Sequence, residues 1–138
     1  MQFVPSNSKY KKQQKGKSFN RINKNVNFFR LNFGIIGLKS KTFGRLTTNQ
    51  IKTIRQTINK VMKKQGRLKL NIFPQTPITK KPLEIRMGKG KGSVDHWVYK
   101  VKSGMLLFEI ESENISLAVR AIKLIQIRIP LITQIIYN

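Results

Sequence analysis

The run Arg86-Met87-Gly88-Lys89-Gly90-Lys91-Gly92 carries the most distinctive chemistry in the chain. Three glycines alternate with two lysines behind an arginine. Glycine lets the backbone take positive φ and lets a partner approach closely. The lysines set cations on that bare backbone, which suits a dense phosphate surface met at short range. The run lacks the G-x-x-x-x-G-K-[ST] spacing of a P-loop. It reads G-x-G-x-G, not the G-x-G-x-x-G of dinucleotide folds.

Other reactive groups are sparse. Catalysis needs titratable groups converging on one site. His96 is the one histidine and there is no cysteine, so disulfides, thiolate metal sites and imidazole clusters are excluded. Asp95 and His96 are neighbours on a predicted strand, so they are expected to point to opposite faces and form no direct dyad. Glu109 and Glu111 share a strand face at i, i+2 and read as a surface pair near Lys and Arg, not a cation site. Trp97 and Tyr99, two apart, can stack on bases, but Trp97 is expected in the core. Neither enzymatic activity nor a cofactor nor a metal is expected.

Charge points the same way as the loop. The chain of 138 residues has 28 Lys and Arg against five acids, a formal net charge of +23. All five acids lie between Glu84 and Glu113, so the first 83 residues hold 20 Lys and Arg and no acid. Such a charge repels itself in a compact state and favours polyanions. Nucleic acid is the leading partner and an anionic membrane the second. Lys, Ile and Asn, at 20, 18 and 11 residues against two Ala, have A/T-rich codons, as in many organelle genomes.

Residues 1–30 contain no continuous apolar stretch, so no secretory signal is read. The basic, acid-free N-terminus does resemble a mitochondrial transit peptide. The Ile-rich C-terminus is broken by Arg120, Lys123, Arg128 and Pro130. It falls short of the roughly 18–20 apolar residues of a membrane span.

The elements that must position these groups follow from periodicity. Residues 1–27 form a basic extension with Lys9, Lys11, Lys12, Lys15 and Lys17, disordered alone and ordering on a charged partner. Residues 28–138 are expected to form one α+β domain, an antiparallel or mixed sheet carrying two helices. Alternation of Phe29, Leu31 and Phe33 predicts a strand over 28–38, followed by a basic loop from Lys39 to Gly44. Ile51, Ile54, Ile58, Val61 and Met62 predict a helix over 48–65, capped by Thr47 or Thr48 and ended by Gly66. Leu68, Leu70 and Ile72 alternate as a strand over 67–73. Pro74, Pro77 and Pro82 punctuate a loop. Leu83 to Met87 is read as a short strand entering the glycine–lysine loop. Two strands, 95–102 and 105–111, are expected to form a hairpin at Ser103-Gly104. Asn114 caps a second helix to about Gln126, with Leu117, Ala121, Leu124 and Ile125 on one side. Leu131 to Tyr137 reads as a last strand.

These residues resemble one family, the universal large-subunit ribosomal protein called L-sixteen in bacteria. The resemblance begins at Lys9-Tyr10-Lys11-Lys12-Gln13 with Lys15-Gly16-Lys17. It runs through Phe33-Gly34, Gly37-Leu38, Gly44-Arg45-Leu46-Thr47, Gln50-Ile51 and Arg55. Phe73-Pro74, Pro77, Thr79 and Lys81-Pro82 follow. Arg86 to Gly92 is the most specific segment, and Trp97-Val98, Gly104 and Phe108-Glu109 complete it. It covers about residues 9 to 136. Lys52 replaces the family's acid after Gln-Ile, and Arg128-Ile129-Pro130 replaces Lys-Leu-Pro; both keep or raise positive charge.

The resemblance implies an α+β sandwich of hammerhead type and a non-catalytic component of the large ribosomal subunit. Members sit at the base of the central protuberance, hold ribosomal RNA and help position aminoacyl-tRNA near the peptidyl-transferase centre. Neighbouring ribosomal proteins are implied partners. The resemblance starts too early for a long presequence, so an organelle-encoded mitochondrial protein is expected, with a plastid or a bacterial cytoplasm as alternatives.

The expected contacts to ribosomal RNA and tRNA are the five tail lysines, Arg45, Arg55, Lys60, Lys63, Lys64, Lys81, Arg86, Lys89 and Lys91. Gly88, Gly90 and Gly92 should allow close approach. Phosphate contacts position without reading sequence, so specificity should come from RNA shape. The main rival is a free-standing basic protein that compacts nucleic acid, which explains the charge but not the ordered motifs. A membrane-surface protein would need a dominant basic amphipathic helix, and an RNA-processing enzyme a cluster of acids or histidines.

Overall fold

A computed structural model describes residues 5, 6, 8–14, 31–63 and 65–138. Among the described residues nine elements follow in order: β1 (Ile36–Ser40), β2 (Gly44–Thr47), α1 (Thr48–Met62), β3 (Gly66–Leu70), β4 (Thr76–Lys80), β5 (Ser93–Val101), β6 (Leu106–Ser112), α2 (Ile115–Gln126) and β7 (Thr133–Tyr137). The strands form a four-stranded sheet, β3-β6-β1-β7, and a three-stranded sheet, β2-β5-β4. Every pairing is antiparallel. The fold is therefore α+β, as expected.

Helix α1 forms where the apolar spacing demands it. Ile51, Ile54, Ile58 and Met62 are buried along one stripe. Thr47 and Gln50 make a capping box, each side chain bonding the other's backbone N–H, so two donors that the first turn orphans are satisfied. The helix ends at Met62 because Lys63 turns left-handed at φ 43°. Gly66, the expected stop, instead opens β3. In α2, Asn114 caps as expected through Leu117 N–H. Its buried side is Ala118, Ala121, Ile122 and Ile125. Leu117 is only half-buried and Leu124 is 39% exposed, so the apolar face is rotated from the one expected. These stripes join Ile36, Leu38, Phe108 and Ile110 of the four-stranded sheet in one core cluster. Each fully buried Ile or Leu contributes about 1.5–3 kcal/mol.

The expected hairpin does not exist. β5 pairs with β2 and β4, whereas β6 pairs with β1 and β3. The turn at Ser103-Gly104, with Gly104 at φ 83°, carries the chain from one sheet to the other. Gly104 N–H donates to the Ser40 carbonyl, anchoring the turn to the end of β1. A glycine turn between two alternating strands encodes the reversal but not which strands pair.

Other corrections have local causes. Residues 31–35 are irregular, because the Asn32, Phe33 and Gly34 N–H groups donate to the Glu109 carboxylate instead of a ladder. The part of that predicted strand at 28–30 lies outside the described residues. β1 reaches Ser40 and β2 opens at Gly44, which shortens the basic loop to residues 41–43. The proline-punctuated segment contains β4, with Pro77 inside it; Pro is tolerated because β4 is an edge strand. Residues 83–87 are not a strand. Ile85 N–H bonds back to the Pro82 carbonyl in a turn, and Leu83 and Met87 are 98% and 99% exposed. Trp97 is half-buried and outside the core cluster, while Tyr99 packs against it.

Candidate nucleic-acid interface

The glycine–lysine loop connects β4 to β5. Gly88, Lys89 and Gly90 have φ of 99°, 54° and 81°, three successive residues in a conformation that L side chains avoid. At Lys89 the cost is about 1–2 kcal/mol, a strain of the kind stored at functional sites. A Cβ at Gly88 or Gly90 would meet nothing within 4 Å. Those glycines are thus required by conformation, and the space beside them is open to a ligand. Gly92 differs: its Cβ would stand 2.6 Å from the Lys80 carbonyl oxygen. The close approach it allows is to its own chain, not to a partner. Arg86, Lys89 and Lys91 are all exposed.

The described part of the N-terminal segment is clasped to this loop. Lys12 Nζ donates to the Lys91 carbonyl at 3.0 Å, and Lys91 Nζ donates back to the Gln13 carbonyl. Lys81 Nζ donates to the Gly88 carbonyl and braces the loop from its base. An ammonium has three donors, so each lysine keeps others for phosphate. Gln13 and Gln14 line one hollow together with Val98 and Ile78 of the three-stranded sheet and with Arg45, Lys91 and Lys100. Arg45 and Lys100 are register partners on β2 and β5. Lys9 and Lys11 are exposed on the same segment, with Lys9 Nζ 5.5 Å from the Tyr10 ring centroid. The structure thus gathers Lys12, Arg45, Lys81 and Lys91 with the glycine loop.

The helix cations form a second site. Lys60 and Lys63 line a groove of about 800 Å³ between α1 and α2, which shares no lining residue with the first hollow. Arg55 is half-buried on α1. Lys15, Lys17 and Lys64 lie outside the described residues. Three cations of these sites escaped sequence reading: Lys100, Arg120 and Arg128. Register opposite Arg45 reveals Lys100, and only helix packing brings Arg120 and Arg128 to the groove.

The acids are used structurally. Glu109 is buried, 1% exposed, and accepts from three successive N–H groups and from Asn71 Nδ2 at 2.8 Å. Burial pushes its pKa up, but the bonds from Asn71, Phe33, Asn32 and Gly34 together outweigh this and the net direction is downward. The expected surface pair is therefore split, with Glu111 exposed opposite Arg67. Asp95 and His96 do meet, contrary to expectation: Oδ2 and Nδ1 are 2.8 Å apart on an exposed stretch of β5. Side chains that leave opposite faces can still curl together at a strand's solvent side. Burial raises the Tyr99 pKa. Among the described residues no group of three or more His, Cys, Asp or Glu is placed to hold a metal. No helix there is long and apolar enough to cross a membrane.

Comparison with known proteins agrees with the residues that carry the resemblance. The family model described as ribosomal protein L16p/L10e matches residues 5–136. The large ribosomal subunit protein uL16 of Cereibacter sphaeroides is 42% identical over 132 residues, covering 96% of this chain and 94% of that protein. The uL16 of Buchnera aphidicola is 44% identical over 133 residues, with 96% and 94% covered. That of Acinetobacter baylyi is 40% identical over 132, with the same coverage. The cation-lined, acid-poor surfaces described above thus belong to a member of the L16p/L10e family of large-subunit ribosomal proteins.

Proposed function

We propose that this chain binds large-subunit ribosomal RNA near the central protuberance and helps position aminoacyl-tRNA near the peptidyl-transferase centre, as a structural and not a catalytic component. The observation that carries the reading is the open cationic loop, Gly88-Lys89-Gly90, held at positive φ with nothing beside its glycines. Arg86, Lys89 and Lys91 meet RNA backbone. Lys9, Lys11, Lys12, Lys15 and Lys17 extend the contact along the N-terminal segment, with Lys81 at the base of the loop and Arg45 beside it. Arg55 and Lys60 of α1, with Lys63 at its C-terminal cap, add phosphate contacts, as does Lys64. Residues 1–27 act as the extension and 28–138 as the domain. Removing any one of these cations from a phosphate lowers the salt slope of binding by roughly one for duplex-like sites.

The site of synthesis we propose is a mitochondrion, on the strength of the Lys, Ile and Asn usage. The relatives named above are bacterial, which also suits a bacterial ribosome. Gradient sedimentation of a lysate at low and high salt tests both points. Co-migration with large subunits that survives moderate salt, in the organelle fraction, is the expected result. Migration with bulk DNA or in the free pool sinks the ribosomal assignment and revives nucleic-acid compaction.

A further inference from the structure

The groove between α1 and α2 is lined from both sides by cations and, among the described residues, by no acid. Lys60 comes from α1 and Lys63 from its C-terminal cap; Arg120 comes from α2 and Arg128 from just beyond it. All four are exposed. Arg128 is already oriented, since its Nη1 donates to Thr57 Oγ1 at 2.6 Å across the groove. A guanidinium has five donors, so others remain for phosphate. Between the cations run the half-buried Val61 and Leu117 and the partly exposed Leu124. Thr53 and Gln56 add hydroxyl and amide groups to the wall.

We propose that this groove seats one RNA duplex along its shallow groove, with phosphates of one strand on Lys60 and Lys63 and those of the other on Arg120 and Arg128. The inference rests on the RNA-binding reading above and makes it specific. Charge complementarity selects a polyanion. No aromatic side chain among the described residues lines the site, so it lacks the stacking platform by which proteins hold single strands. A-form RNA presents a wide, shallow minor groove edged by 2′-hydroxyls and phosphates, and duplexes are recognised there by shape. Gln56 can both donate to and accept from a 2′-hydroxyl. The apolar strip can rest against ribose without leaving a buried polar group unpaired.

The absence of cysteine makes the test clean, because one introduced thiol is the sole attachment point. Gln56→Cys carries an iron chelate that generates hydroxyl radicals, in the full chain assembled into large subunits. Met87→Cys serves as the glycine-loop control, and Thr53→Cys as a second groove position if bulk at 56 blocks assembly. The expected result is cleavage of both strands of one ribosomal RNA helix from the groove, at sites distinct from those cut from position 87. A Lys60→Glu, Arg120→Glu variant should also lower the salt slope of binding to a hairpin of that helix by roughly two, with its melting temperature unchanged. Cuts from position 87 but none from 53 or 56, cuts confined to a single-stranded segment, or cuts from the groove that fall only in a neighbouring protein's backbone would each overturn the proposal while leaving RNA binding intact. Failure of every variant and of the cysteine-free chain to join the particle would instead bring down the ribosomal reading itself.

Discussion

The glycine–lysine loop and the α1–α2 groove present the same charge on two different scaffolds. The loop is almost wholly exposed, and its shape depends on three positive-φ residues and on lysines bonded to backbone carbonyls. The groove is held by Ile51, Ile54, Ile58 and Met62 of α1 and Ala118, Ala121, Ile122 and Ile125 of α2 beneath it. A loop with bare glycines can approach a phosphate backbone closely and adjust to it. The backbone beneath a groove between packed helices is held by the core, so it adjusts less. On the proposed RNA-binding reading, the contrast separates two things that net charge merges: attraction to RNA, which any of these cations would supply, and placement on it, which would depend on what holds them.

Substitutions can break that contrast, and the largest effect is expected at the loop. A Lys89→Glu, Lys91→Glu double variant puts acids against phosphate, a juxtaposition that costs several kcal/mol. Association with large subunits should weaken about 100-fold, and melting of the core should stay unchanged. A variant that assembled and translated normally would remove the loop from the mechanism.

The next effect is on stability and spares the loop. Glu109→Gln removes the charge that three N–H groups share, and bonds to a charged group are worth about 1.5–3 kcal/mol. Urea unfolding at neutral pH should show a loss of about 2 kcal/mol. Because the folded pKa of Glu109 is lowered, its contribution is present above the unfolded carboxylate pKa. It is lost as pH falls through the folded value. The wild-type chain should therefore lose stability on acidification with a step that the Gln variant lacks. Identical acid limbs would show that Glu109 is not the group responsible.

Gly90→Ala sharpens the loop half of the comparison. There is room for the methyl, so its only penalty is conformational, about 1–2 kcal/mol to hold positive φ. The exposed loop can relax out of that conformation, so binding should fall about tenfold with little change in melting temperature. An unchanged affinity would mean that the positive φ is not part of the bound shape. The smallest effect expected is at the end of α1. Lys63→Gly relieves a left-handed lysine, a gain of about 1–2 kcal/mol, partly offset by glycine's extra freedom when unfolded, about 0.4–1 kcal/mol. A net gain of roughly 0.5 kcal/mol by calorimetry, with a small loss of RNA affinity, would show stability and binding pulling apart in the groove.

Where a signal is local, the residues revealed it. The stripe and cap of α1, the Asn114 cap of α2 and the glycine–lysine loop all depend on spacings within one turn or on one residue's allowed φ. Charge was equally legible, because counting needs no geometry. Misreadings arose where distant residues decide. Phe29-Leu31-Phe33 alternates like a strand, yet Glu109, some 75 positions on, takes the N–H groups of 32–34. Ser103-Gly104 looks like a hairpin turn, yet β5 and β6 find other partners. Leu83 to Met87 alternates, yet Ile85 N–H turns back to the Pro82 carbonyl.

The amino-acid sequence alone determined the strong cationic excess, the α+β class and a glycine–lysine loop of a kind suited to phosphate, since composition, propensity and motif are short-range properties. Only the tertiary structure decided that Lys12 bonds the Lys91 carbonyl while Lys91 bonds the Gln13 carbonyl, and that Arg120 and Arg128 face Lys60 and Lys63 across a groove. Those arrangements join residues up to 79 positions apart. Such contacts form because the two sheets and the buried helix stripes have already fixed where each segment lies, and that placement is a property of the whole packed chain.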